Sequence, residues 1–175
     1  MFNKILLTLL LLNLPIVSSA QWVGGTQIFQ LNSEDGDFET DVQGLALSLG
    51  HTLLLTSKIA VVPELRLGRG LKSETVAITG TDLKIELNRL FSLAARIQYK
   101  LTEKLQLFAM PTYTNTEFTV STALVGENLS ETADDWDLGI GLGTSYTLHK
   151  RVSGDLMFEY YDGKTALSLG ARWAL

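Results

Sequence analysis

From residue 21 onward, apolar and polar side chains alternate with a period of two, the repeat of a half-exposed β-strand. The clearest stretch is Asp135–Leu148: Trp136, Leu138, Ile140, Leu142, Tyr146 and Leu148 share one face, and Asp135, Asp137, Gly139, Gly141, Gly143 and Ser145 share the other. A helix would scatter these residues around its cylinder, and each interior glycine would cost it about 0.5–1 kcal/mol relative to alanine. The same alternation predicts strands over Val42–Gly50, Ile59–Arg69, Ile85–Tyr99, Leu105–Tyr113, Val152–Tyr160 and Leu167–Leu175. In Ile85–Tyr99 the face of Ile85, Leu87, Phe91, Leu93 and Ile97 opposes that of Glu86, Asn88, Ser92, Arg96 and Gln98, interrupted at Arg89 and Leu90. Trp22–Asn32 is taken as the eighth strand, although Ile28 and Phe29 fall on opposite faces and Gly24-Gly25 weakens both.

The connections alternate in length. Leu54–Ser57, Leu101–Lys104 and His149–Arg151 are short, whereas Ser33–Glu39, Gly70–Asp82 and Thr116–Asp134 are longer, polar and expected as loops; Asp162-Gly163 reads as a tight hairpin turn. Short turns on one rim and long loops on the other match transmembrane barrels, in which the short turns face the periplasm.

Opposite the leucines stand Lys58, Glu64, Arg66, Lys84, Glu86, Arg96, Asp135, Asp137, Asp155, Glu159 and Arg172, five positive and six negative. An eight-stranded barrel has an interior just wide enough to be filled by side chains, so nearly balanced charges there are expected to pair and plug the lumen. The expected lumen network is Glu64, Arg66, Glu86, Arg96, Asp137, Asp155, Glu159 and Arg172. Aromatic residues test whether the leucine face meets lipid. Tyr99, Tyr146 and Trp173 fall at strand ends by the short turns, and Tyr113, Trp136 and Tyr160 at strand ends by the long loops, all on the leucine face. Trp136 and Tyr146 are ten residues apart, which at about 3.3 Å per residue and a tilt of about 40° is roughly 25 Å of height, the expected apolar band. The reading is an all-β, eight-stranded antiparallel up-and-down transmembrane β-barrel over residues 21–175.

Residues 1–20 carry Lys4, the aliphatic run Ile5–Leu12 and a small-residue ending Ser18-Ser19-Ala20, the layout of a signal peptide cleaved after Ala20. Cleavage leaves 155 of the 175 residues and takes the net charge from −5 to −6. That acidic balance, without a clustered Lys/Arg patch, argues against nucleic acid. Zero cysteines exclude disulfides, a thiolate site, a cysteine nucleophile and a lipidated N-terminal cysteine. No cofactor or metal site is expected.

The signal peptide, strand count, loop alternation and final strand Ala166–Leu175 together resemble the family of small outer-membrane barrels related to outer membrane proteins A and X. The resemblance implies residence in the bacterial outer membrane among outer-membrane lipids and lipopolysaccharide; a monomer is expected. It further implies delivery by the barrel assembly machinery, with Trp173 and Leu175 as the assembly signal. The family usually ends in phenylalanine, so Leu175 is a departure.

Some small barrels of this shape are lipid A-modifying enzymes or omptin proteases, and each needs a general base. The two histidines, His51 and His149, both map to short-turn ends, and neither forms a His-x-Ser or His-Asp pattern in a long loop. The acidic clusters Glu34–Glu39 and Glu131 with Asp134-Asp135 lack calcium-loop spacing. Asn128-Leu129-Ser130 matches a glycosylation sequon too short to carry weight. Phe118–Val125 is apolar for a loop and either extends the strands above the membrane or meets a partner. The expected role is therefore non-enzymatic, structural or surface-interacting through loops 33–39, 70–82 and 116–134, with a host or cell-surface ligand as the partner. The alternatives are a narrow porin-like channel, a lipid A-modifying barrel enzyme and a soluble periplasmic lipocalin-like carrier.

Overall fold

The computed structural model describes residues 21–35, 38–78, 81–124 and 127–175; the expected signal peptide, residues 1–20, and its cleavage point lie outside them. Among the described residues nine strands form: β1 (Gln21–Asp35), β2 (Phe38–Leu54), β3 (Ile59–Gly70), β4 (Glu74–Ile78), β5 (Thr81–Lys100), β6 (Leu105–Leu124), β7 (Glu127–His149), β8 (Val152–Tyr161) and β9 (Lys164–Ala174). All pairings are antiparallel, between neighbours in sequence except at two places. β3 pairs with β5, Ile59 opposite Tyr99, and β1 pairs with β9, Val23 opposite Ala174, so eight strands close into a ring. β4 stands outside that ring, paired only to the far end of β5.

The eight ring strands are the eight expected ones, with longer bounds except at the far end of β9, which stops at Ala174 instead of Leu175. The departure lies in the loops. Pairing of β1 with β2 runs up to Asp35 and Phe38, β4 forms within the expected loop 70–82, and β6 and β7 stay paired up to Leu124 and Glu127. Most of the expected loop 116–134 is therefore hairpin. Its ladder is held by β-branched and hydroxyl residues facing one another across the strands, Thr119 with Thr132 at 2.9 Å and Ser121 with Ser130 at 3.4 Å. Phe118 lies within β6 and packs on the interior apolar cluster. The last hairpin is tight: Tyr161 pairs with Lys164 across two residues, and Gly163 takes φ 72°, a backbone state glycine adopts without steric cost.

The leucine face is outside. Leu47, Leu67, Leu93, Leu142, Leu156 and Leu169 are all exposed on the wall. One strand breaks the rule. A bulge between Leu87 and Arg89 inserts an extra residue into β5, and above it the two faces exchange. Leu87, expected toward lipid, is 1% exposed in the interior, and Glu86, expected in the lumen, points out beside Lys84 at 3.2 Å.

Candidate functional site

Three layers fill the lumen. Toward the long loops, Phe29, Leu31, Val42, Ala46, Leu87, Leu90, Tyr161 and Ala166 form an apolar cluster. Phe29 fits because Gly44 lies opposite it on β2; a Cβ on Gly44 would overlap the ring. Toward the short turns, Phe108, Met110 and Met157 form a second cluster. Glycines on the inward face of β7 make room on both sides, Gly139 beneath Tyr161 and Gly143 beneath Phe108.

Between the clusters lie the charges. Arg66 on β3 reaches Glu159 on β8 with both terminal nitrogens, at 2.9 and 2.8 Å, the fork-to-carboxylate geometry that makes such pairs strong. Arg66 also donates to Ser92 at 3.0 Å, Thr114 donates to Ser92 at 2.9 Å, and the Tyr161 hydroxyl donates to Glu159 at 2.7 Å. Arg96 donates to Asp155 at 2.6 Å and lies 3.5 Å from the centre of the Phe108 ring, while Ser145 donates to the other oxygen of Asp155 at 2.6 Å. Arg172 donates to Glu64 at 2.5 Å, and its Nε lies 3.9 Å from Asp155. Near the long-loop end Lys164 meets Asp137 at 2.7 Å.

Of the eight residues expected in this network, the structure brings seven together; Glu86 is the exception, placed outside by the β5 bulge. Lys164 is the member that alternation missed, because it sits beside a turn. With it the lumen holds, among the described residues, Arg66, Arg96, Lys164 and Arg172 against Glu64, Asp137, Asp155 and Glu159, four charges of each sign. Lys58 belongs to a turn and Asp135 is exposed at the rim. Between the packed layers remain cavities of about 10 Å³, one beside Arg96 and one beside Arg66, each roughly one water in size. A mouth of about 170 Å³ opens at the short-turn end, lined by Gln98, Gln106, Thr147, His149 and Arg151, and it ends at Arg172.

The six expected girdle aromatics, Tyr99, Tyr146, Trp173, Tyr113, Trp136 and Tyr160, are all exposed on the outer wall. Tyr113 and Trp136 stack at 4.6 Å, and Phe91 meets Trp136 edge-on at 6.0 Å. Trp22, which the weak β1 pattern concealed, joins the short-turn set and contacts His51 at 4.9 Å. Trp173 lies across Gly24, and the Leu175 N–H donates to the Trp22 carbonyl at 2.9 Å. His149 lines the mouth, far from the long loops. Among the described residues no three of His, Asp and Glu converge where an ion could be held; the side chains of the Glu34–Glu39 cluster and of Asn128 lie outside the described residues.

A sequence profile for the outer membrane protein beta-barrel domain matches residues 5–172. Among solved structures, Ail, the attachment invasion locus protein of Yersinia pestis, is similar at 15% identity and a TM-score of 0.60, over 89% of this chain and 97% of that one. Neisserial surface protein A follows at 13% identity and 0.59, over 90% and 100%. A major outer membrane protein of Thermus thermophilus stands at 15% identity and 0.58, also over 90% and 100%. At such identities the likeness shows the fold alone. Ail has also been solved with the heparin analogue sucrose octasulfate. No curated protein matches the chain.

Proposed function

The chain belongs to the outer membrane protein β-barrel domain family, and from that premise we propose that it is a non-enzymatic, monomeric surface barrel whose work is done by its long-loop end. The observation that carries this reading is the contrast between the two parts of the molecule. Between its two ends the described lumen is filled by side chains and balanced ion pairs, with cavities of only about 10 Å³ among them, which favours a plugged barrel over a channel.

Beyond the girdle the strands continue. From Trp136 to Glu127, nine further residues of β7 extend past it, about 30 Å of strand. Residues 127–138 of β7 pair with β6 on one side, while β8 begins pairing only at Gly139. That side of the hairpin offers backbone donors and acceptors to a partner, and a barrel serving as a mere wall would have no use for it.

Charge narrows the partner. With a mature net charge of −6, a neutral lumen and five cations against Glu103 at the short-turn rim, the long-loop end holds the remaining −10. A heparin-like polyanion of the kind solved with Ail is therefore disfavoured here, and a cationic or neutral surface is favoured. Assembly through the barrel machinery is supported by β9, which carries Trp173 on the outer wall and forms one side of the closing seam.

Proteinase K digestion of intact cells, with mass spectrometry of the fragments, tests the reading. Cleavage within 116–134 with the short turns spared is expected. Full protection until lysis would overturn surface display and favour a periplasmic carrier. Trypsin is unsuitable, because Lys104 and Lys150 have no lysine or arginine between them.

A further inference from the structure

The three short turns repeat a chemical pattern. Leu55-Thr56-Ser57-Lys58 and Leu101-Thr102-Glu103-Lys104 are near copies, and Leu148-His149-Lys150-Arg151 varies the theme. The first two share their hydrogen bonds as well. Leu55 and Thr56 N–H both donate to the Ile59 carbonyl, as Leu101 and Thr102 do to Leu105. Thr56 Oγ1 accepts from the Ile59 N–H at 3.0 Å, as Thr102 Oγ1 does from Leu105 at 3.0 Å.

Each turn is also tied to the next strand by its last cation. The Lys58 carbonyl accepts from the Lys100 N–H at 2.8 Å, that of Lys104 from Thr147 at 2.8 Å, and that of Arg151 from Ala174 at 3.0 Å. These bonds set Lys58, Lys104 and Arg151 at equivalent places around the rim. Each turn further presents a leucine to the outside: Leu55, Leu101 and Leu148 are 60%, 54% and 66% exposed. Trp22, Tyr99, Tyr146 and Trp173 stand beside them on the wall.

From this we infer that the short-turn rim is a collar for anionic phospholipid headgroups of the adjacent leaflet. The inference rests on the membrane-spanning reading above. A leucine within a few residues of each cation suits a bilayer interface, where the apolar side chain enters the acyl region and the long cationic stem reaches the phosphate. A water-soluble polyanion would engage the cations and leave the leucines without purpose. The sign of charge agrees: the short-turn rim carries Lys58, Lys100, Lys104, Lys150 and Arg151 against Glu103, whereas the opposite end is acidic. Lys100 is already held by Glu103 at 2.8 Å, so the cations available to lipid are the other four, of which Lys150 and Arg151 also border the lumen mouth.

The tryptophans report on the two ends separately, since Trp22 and Trp173 lie at the collar and Trp136 at the far girdle. The mature chain carrying Trp136→Phe is refolded into phosphatidylcholine vesicles containing a minor, equal fraction of brominated phosphatidylglycerol or brominated phosphatidylcholine. The expected excess of quenching by the anionic lipid is about twofold to fivefold, of the order that one engaged cation produces. It should shrink in concentrated salt, where the Debye length falls to about 3 Å. It should vanish in Lys58→Gln/Lys104→Gln/Lys150→Gln/Arg151→Gln, whose folding is verified by gel mobility before and after boiling, and return when the same positions carry the opposite basic residue. A Trp22→Phe/Trp173→Phe chain, reporting from Trp136 alone, should show no preference. Equal quenching by the two lipids at the collar overturns the inference while leaving the barrel in the membrane. So does binding to isolated peptidoglycan that is lost in the quadruple variant without any lipid preference. No quenching by either lipid at either end overturns the membrane reading itself, and the collar with it.

Discussion

Arg66 and Glu159, 93 residues apart in sequence, meet across the lumen as a two-pronged ion pair in which the side chains are 1% and 2% exposed. Desolvating two such charges consumes most of what their attraction returns, so the pair matters chiefly through what happens when half of it is lost. Glu159→Leu should destabilise the barrel by about 3–5 kcal/mol, since Arg66 would remain buried with only Ser92 as a partner. Arg66→Leu/Glu159→Leu should recover most of that loss. Urea unfolding of the refolded barrel in lipid vesicles measures both, and additive losses in the double variant would show that the two residues do not act as a pair.

The upper apolar layer depends on a different kind of complementarity, a phenyl ring seated over a glycine. Gly44→Ala places a methyl group into the Phe29 ring, and overpacking of this sort costs about 1–3 kcal/mol. Phe29→Leu in the same chain should return part of it by thinning the side chain above the new methyl. Thermal unfolding followed by gel mobility would detect both changes; an unshifted midpoint for Gly44→Ala would mean that the ring has other room to move.

These two contacts show where sequence reasoning succeeds and where it stops. Strand number, the outward leucine face and the inward placement of Arg66, Arg96, Arg172 and Glu159 follow from period two alone, because a barrel wall converts parity directly into inside and outside. Parity fails wherever the count of residues changes. The bulge at Asn88 flips Leu87 inward and Glu86 outward, and the only trace in the sequence was the broken alternation at Arg89 and Leu90. Small residues misled for a related reason. Gly24 and Gly25 made β1 look weak, yet they are the space into which Trp173, Ser48 and Arg172 fit, a fact that belongs to neighbouring strands. Lys164 escaped because its partner Asp137 is on β7, not on the strand that precedes its turn. The long hairpins carry the composition of loops because Thr, Ser and Asn are common to turns and to solvated strands.

Arg96 tests how far neighbouring charges share a load. Arg96→Leu removes a hydrogen bond to Asp155 and a contact with Phe108. Asp155 keeps the Ser145 hydroxyl at 2.6 Å and has Arg172 Nε at 3.9 Å. The expected destabilisation is about 1.5–3 kcal/mol, the worth of a charged hydrogen bond, and less than that of Glu159→Leu in the same urea assay. A loss equal to or greater than that of Glu159→Leu would indicate that Arg172 does not compensate.

Conductance separates the plugged barrel from the narrow channel. The path through the lumen is blocked in series, first by the cluster around Phe29 and Leu87, then by the ion pairs of Arg66, Arg96 and Arg172, then by Phe108 and Met110. The cavities between these layers are only about 10 Å³ each, roughly one water in size. Refolded protein in a planar bilayer is expected to give no current steps. Blocks in series also mean that opening one layer is insufficient, so Phe29→Ala alone should stay silent, and Phe29→Ala/Leu87→Ala/Arg66→Ala/Glu159→Ala should begin to pass only brief, small currents limited by the Phe108 layer. Steady ion currents from the unaltered chain would overturn the plugged reading and make the mouth at His149 and Arg151 the entrance of a pore. Steady currents from Phe29→Ala alone would place the whole barrier in the upper cluster and leave the buried ion pairs with a purely structural role.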